Sequence, residues 1–151
     1  MAKSSISLLW RMPPPSPKAT DRLTHVAEAV CVRLDRVGEV VEVAIVDDAE
    51  SRRLNRDFLG RDRPTNVISF GSGEAGELGQ LAVNIDFARR EAAETGHGHL
   101  YLVGYYMIHG LLHLAGYDHE RVTPAEAASM ADAEKAMVDL LTPLAPKKES
   151  T

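Results

Sequence analysis

Between residues 99 and 115 the chain is apolar on nearly every side of a helical wheel. A helix without a polar face is stable only in the interior, so this segment predicts a helix in the middle of the fold, with Gly116 ending it. The other elements must pack around it. With 151 residues, the length allows one compact domain of ordinary size and no second. Hydrophobic residues make up 44% and charged residues 26%, the balance of a soluble globular protein. Eleven Gly and eight Pro are too few for a fibrous or disordered chain. His, Gly or charge breaks each apolar stretch well short of the roughly 20 residues that cross a membrane, so no transmembrane helix is expected.

The rest of the sequence alternates short strand-like and helix-like segments. Ile6–Trp10 reads as a first strand, followed by a Pro-rich bend through Pro17. Leu23, Val26, Ala27, Val30, Cys31 and Leu34 recur at three-to-four spacing, which predicts a helix over residues 18–37 stopped by Gly38. Val40–Val46 is rich in β-branched residues, and Asp47-Asp48 reads as the N-cap of a short helix over 49–59 closed by Gly60. Residues 65–70 and 80–85 read as strands joined by a hairpin-like connection containing Gly71, Gly73, Gly76 and Gly79. That loop lacks the Lys-Ser/Thr ending of a phosphate-binding loop. Asp86 is read as the cap of a helix to Thr95, with Gly96 as its stop. A last helix over 124–141 starts with Pro124 in its first turn, and the tail 145–151 is expected to be disordered. The interleaving predicts an α+β fold, or an α/β sandwich, in which a small mixed sheet lies under helices.

Export is not expected, because the N-terminal segment has one Lys and only a five-residue apolar run before Arg11 and the Pro13-Pro14-Pro15 block. The single cysteine, Cys31, lies on the apolar side of its helix and reads as a buried thiol, so a reducing, cytoplasmic location is expected. The net charge of −5 argues against holding nucleic acid by bulk electrostatics alone. Residues 1–75 are balanced, with 11 basic and 11 acidic side chains, while residues 76–151 carry 6 and 11. Arg52, Arg53, Arg56, Arg61 and Arg63 cluster against only Asp57 and Asp62, either as a solvated face or as a phosphate-binding group.

Five of the six histidines fall within residues 97–119, and three form His109-x-x-x-His113-x-x-Gly116-x-x-His119. His109 and His113 are one helical turn apart and project from one face, at a spacing that a metal can bridge. Gly116 lets the chain leave the helix and bring His119 back towards the same point. Three imidazoles leave the fourth tetrahedral position of zinc open to water, the pattern of a catalytic rather than a structural site. The plain alternative is a pair of core histidines satisfied by backbone groups with His119 a loop residue; for His97 and His99 a structural reading is preferred, and His25 reads as structural or exposed. The spacing is that of the metzincin peptidases, but Gly110 stands where those enzymes carry their general-base Glu. A glycine inside a helix costs about 1 kcal/mol relative to Ala, which suggests that space is needed there for packing or for substrate. Asp118 is read either as an orienter of the third ligand or as a turn residue.

The run His109-Gly110-Leu111-Leu112-His113-Leu114-Ala115-Gly116-Tyr117-Asp118-His119 resembles the signature of the YbeY endoribonucleases. A second segment agrees: Leu54-Asn55, Phe58, Asp62 and Pro64-Thr65-Asn66-Val67-Ile68-Ser69-Phe70. The likeness extends from about Val40 to Glu134. It implies a mixed sheet of about four strands packed with helices, and one Zn2+ per chain at His109, His113 and His119. It further implies a metal-dependent enzyme that cuts single-stranded RNA in rRNA maturation and ribosome quality control. Implied partners are rRNA, the ribosome and ribosomal or assembly proteins, with no membrane and no DNA. Members commonly carry an Arg after the aromatic residue that is Phe58 here, whereas this chain has Leu59. Arg61, with Arg63 beside it, is the candidate for that phosphate contact, and Gln80 stands where an acidic residue is common. A non-catalytic zinc-stabilised assembly factor and a metallopeptidase are the competing readings, the latter disfavoured by Gly110.

Overall fold

The structure, a computed structural model, describes residues 5–117 and 123–144. In chain order the elements are β1 (Ile6–Trp10), α1 (Ala19–Arg33), β2 (Val40–Val46), α2 (Asp48–Leu59), β3 (Val67–Phe70), β4 (Glu77–Asn84), α3 (Ile85–Thr95), α4 (His99–Leu114) and α5 (Pro124–Met137), followed by a 3₁₀ segment, Val138–Leu144. The architecture is α+β, as expected. Four strands form one sheet in the order β1-β2-β4-β3, with β1, β2 and β4 parallel and β3 antiparallel to β4. The sheet is therefore mixed, and the glycine-containing connection between β3 and β4 joins an antiparallel pair.

Alternation along the strands sends Val41, Val43 and Ile45 of β2 and Leu81 and Val83 of β4 into one core, which they share with Leu23, Val26, Ala27 and Val30 of α1 and Val103, Met107 and Leu111 of α4. The opposite face is covered only in part. There Leu54 of α2 packs on Val46, Ile68 and Ala82 with Ala44 and Phe70, so α2 and α4 lie on opposite sides of the sheet.

Several boundaries differ from the sequence reading: β3 starts at Val67 rather than at residue 65, and β4 runs Glu77–Asn84 rather than 80–85, taking in Gly79. Helix α1 ends at Arg33 rather than at residue 37, because Asp35 takes a left-handed φ of 56° and the Arg36 N–H turns back to the Cys31 carbonyl at 2.8 Å. Helix α3 is capped by Asn84, not by Asp86: the Asn84 side-chain oxygen accepts from the N–H groups of Asp86 (3.0 Å) and Phe87 (3.2 Å). Asp86 instead accepts from the Asp48 N–H at 3.0 Å and serves the start of α2. Helix α5 gives way after Met137 to the 3₁₀ segment, whose three-residue repeat puts Leu141 and Leu144 on one edge. Both leucines reach the notch left by Gly104 of α4, where a β-carbon would meet them at 2.7 and 2.8 Å. Residues 145–151, expected to form a disordered tail, lie outside the described residues.

Candidate functional site

Helix α4 is buried along Leu102, Val103, Tyr106, Met107, Gly110 and Leu111 and only half-buried along Tyr101, Tyr105, His109 and His113. The second stripe runs at four-residue spacing and is where the central helix comes to the surface. His109 and His113 sit on it with their Nε2 atoms 3.1 Å apart and their rings edge to face. The helical spacing read from the sequence therefore converges two imidazoles on one point. His119 and Asp118 lie outside the described residues.

The structure adds a residue that sequence reasoning missed. Glu134 of α5 holds His109 Nδ1 through one carboxylate oxygen, while Tyr105 Oη donates to the other at 3.3 Å. Burial, and then the nearby Glu134 carboxylate, push the Tyr105 hydroxyl above its ordinary pKa. A carboxylate only accepts, so His109 Nδ1 donates and the lone pair of the neutral ring falls on Nε2, towards His113. The available signal was that Glu134 lies on the same helical face as Met130 and Met137, both buried. A carboxylate on an apolar stripe needs a partner.

These donors fit a metal. Two imidazole Nε2 atoms 3.1 Å apart would hold a divalent cation such as zinc, which takes histidine nitrogens as ligands. A carboxylate behind one imidazole is the usual support for a metal-ligating histidine.

Gly110 does not open space for metal or substrate. A β-carbon there would lie 2.6 Å from Leu81 Cδ2 and 3.1 Å from Val67 Cγ2, so the glycine lets α4 approach the sheet. A general-base Glu at this position would be driven into the core. The remaining histidines stand apart: His25 is exposed, and His97 is exposed and stacked on Tyr101 at 4.7 Å. Burial holds His99 below its ordinary pKa, and among the described residues its Nε2 has no hydrogen-bond partner.

Arg61 is exposed in the segment after α2. Two buried side chains hold that segment: Asn55 Nδ2 donates to the Arg63 carbonyl at 2.8 Å, and Ser51 Oγ bonds both the N–H and the carbonyl of Thr65 at 3.0 Å. Arg52 takes Asp62 as its partner at 2.8 Å, and Arg53 and Arg56 face Asp57. Among the described residues no carboxylate is paired with the Arg61 guanidinium. A groove of about 290 Å³ opens elsewhere, on the sheet face away from α4, lined by Val40, Glu42, Phe70, Glu77 and Gln80 among others. Its carboxylates repel phosphate, and the sheet separates it from the histidine pair.

The model of the family described as endoribonuclease YbeY matches residues 16–142. The chain belongs to this family. Among curated YbeY endoribonucleases, that of Geobacter sulfurreducens is 42% identical over 132 residues, covering 83% of this chain and 88% of the relative. That of Halorhodospira halophila is 45% identical over 114 residues, covering 70% and 72%. The solution structure of a Thermotoga maritima protein superposes with a TM-score of 0.68 at 28% identity, covering 92% of this chain and 90% of that one. The YbeY family is one of endoribonucleases, hydrolases that act on RNA. No helix among the described residues is long and apolar enough to cross a membrane.

Proposed function

We propose that this YbeY-family protein is a zinc-dependent endoribonuclease specific for single-stranded RNA, acting in rRNA maturation and ribosome quality control. The observation that carries the metal part of this reading is the 3.1 Å approach of His109 and His113 through their Nε2 atoms. His119 is the third ligand. The three imidazoles would hold the zinc, which when bound would supply Lewis-acid chemistry for phosphodiester cleavage. Glu134 and Tyr105 keep the His109 ring in place, and Arg61 grips a phosphate with its planar fork of donors. With a net charge of −5, affinity for free RNA is modest, so presentation by the ribosome or an assembly protein assists binding.

Elemental analysis of the purified protein together with cleavage of a single-stranded RNA tests this reading. Wild type is expected to hold one zinc per chain and to lose cleavage when the metal is stripped. His113→Ala should cut metal content sharply, because two imidazoles seldom hold zinc alone, while His25→Ala and His97→Ala leave it unchanged. Stoichiometric metal in the His109/His113/His119 triple variant would sink the ligand assignment. Cleavage activity that survives removal of the metal, or is lost on further purification, would favour a non-catalytic assembly factor.

A further inference from the structure

Glu134 is held more tightly than a surface carboxylate on a terminal helix. It lies between Met130 and Met137, whose side chains are 1% and 5% exposed. The α5 and 3₁₀ unit is locked against the rest of the molecule on two sides. Leu141 and Leu144 fill the Gly104 notch, and Arg33 of α1 grips Asp139 through two bonds of 2.9 Å and the Ala136 carbonyl at 2.8 Å. The carboxylate is thereby presented to α4 at a fixed height, one oxygen on His109 Nδ1 and the other on Tyr105 Oη.

We propose that Glu134 is a positioning residue for the histidine centre, fixing His109 as its Nδ1–H tautomer and aiming the Nε2 lone pair at the point it shares with His113. The inference rests on the metal reading above for its consequence, but the tautomer it assigns is a property of the metal-free protein. An imidazole free to choose carries its proton on either nitrogen, and the unwanted form points an N–H at an incoming cation. Removing a carboxylate behind a ligating histidine lowers metal affinity by about 10- to 100-fold in comparable sites. Tyr105 holds the far oxygen and contributes less, because the carboxylate keeps its Nδ1 contact without it.

Nitrogen-15 NMR of the imidazoles in the metal-free, full-length protein, at a pH where the rings are neutral, reads the tautomer directly. Zinc titration against a chromophoric chelator gives the affinity. Wild type is expected to show His109 protonated on Nδ1. Glu134→Ala should mix the tautomers and weaken zinc binding by about 10- to 100-fold. Glu134→Gln keeps an accepting oxygen, so the tautomer should be retained and the loss should be smaller. Lys135→Ala, on the exposed side of the same helix, should change neither. An Nε2–H tautomer in wild type overturns the proposal without any variant, as does a folded Glu134→Ala protein with unaltered tautomer and affinity. Should Glu134→Ala fail to fold, a mixed tautomer in Glu134→Gln overturns it instead. A wild-type protein that binds no zinc, yet shows His109 in the Nδ1–H form, would count against the proposed function and not against this role of Glu134.

Discussion

At Gly110 a single missing β-carbon sets how near α4 lies to the sheet. Alanine gains about 1 kcal/mol of helix propensity over glycine, but its methyl would stand 2.6 Å from Leu81 Cδ2, and overpacking a filled core costs about 1–3 kcal/mol. Gly110→Ala is therefore expected to lower the urea midpoint despite the better helix former; an unchanged or raised midpoint would mean that Leu81 can give way. Arg61 poses a different question, because its exposure and lack of a carboxylate partner among the described residues leave its charge available. If it holds a phosphate, Arg61→Ala removes a charge-assisted contact worth about 1.5–3 kcal/mol, about a ten- to hundredfold loss of RNA cleavage, with metal content unchanged. Leu59 is itself exposed, so Leu59→Arg should be tolerated and should partly restore cleavage in the Arg61→Ala background. An Arg61→Ala enzyme as active as wild type would place the arginine cluster on a merely solvated surface.

Among the elements, caps decide how the second layer is joined to the first. Asn84 is 1% exposed; besides capping α3 it donates from Nδ2 to Asp48 at 2.8 Å, and Asp48 in turn pairs with Arg90. One side chain thus ties the end of β4 to the starts of α2 and α3. Asn84→Ala loses the cap, which costs about 0.5–2 kcal/mol, and strands buried donors and acceptors as well. A drop of several degrees in Tm is expected, whereas Asp86→Ala should cost less, since Asp86 caps one N–H, that of Asp48, and its other partner, Arg89, is a solvent-screened pair. Equal losses would contradict this division of labour. Asp47, Gly60, Gly96 and Pro124 were legible as caps and stops because each acts on its own neighbours. Asn84 was missed although its cap is equally local, because the strand reading ran on to residue 85 and left Asp86 as the apparent cap; only its bond to Asp48 depends on where α2 arrives.

For the whole molecule, acid acts on groups that folding has placed beside charge or away from water. The Arg90 guanidinium holds the Asp48 carboxyl below its usual range, so that pair stabilises above the ordinary carboxylate pKa and its contribution is lost as pH falls through the lowered value. Its exposure keeps the effect small. His99 is held below its ordinary value of 6.5 by burial and then by Arg89. The unfolded chain therefore takes up a proton near 6.5 that the folded one refuses, and stability falls as pH drops from there to the lowered folded value. Urea denaturation at about pH 7.5 and about pH 5 should reveal this loss, and His99→Gln should reduce it. The same slope in wild type and variant would assign the acid sensitivity to other groups.

The periodicities belong to the sequence: an apolar helix at 99–114, imidazoles one turn apart on it, alternating strands on either side. Those features follow from 3.6- and 2-residue repeats acting within one element, so they are readable without knowing the neighbours. Only the tertiary structure decided that Gly110 faces Leu81 rather than the metal, that α2 packs on the sheet face away from α4, and that Glu134 meets a histidine 25 residues away. On the sequence alone Glu134 is a charge on the Met130/Met137 face of a helix, with nothing to name its partner. Its role arises because the 3₁₀ turn seated at Gly104 and the Arg33–Asp139 pair fix the height of α5 against α4, and contacts so distant along the chain are set by packing rather than by any local repeat.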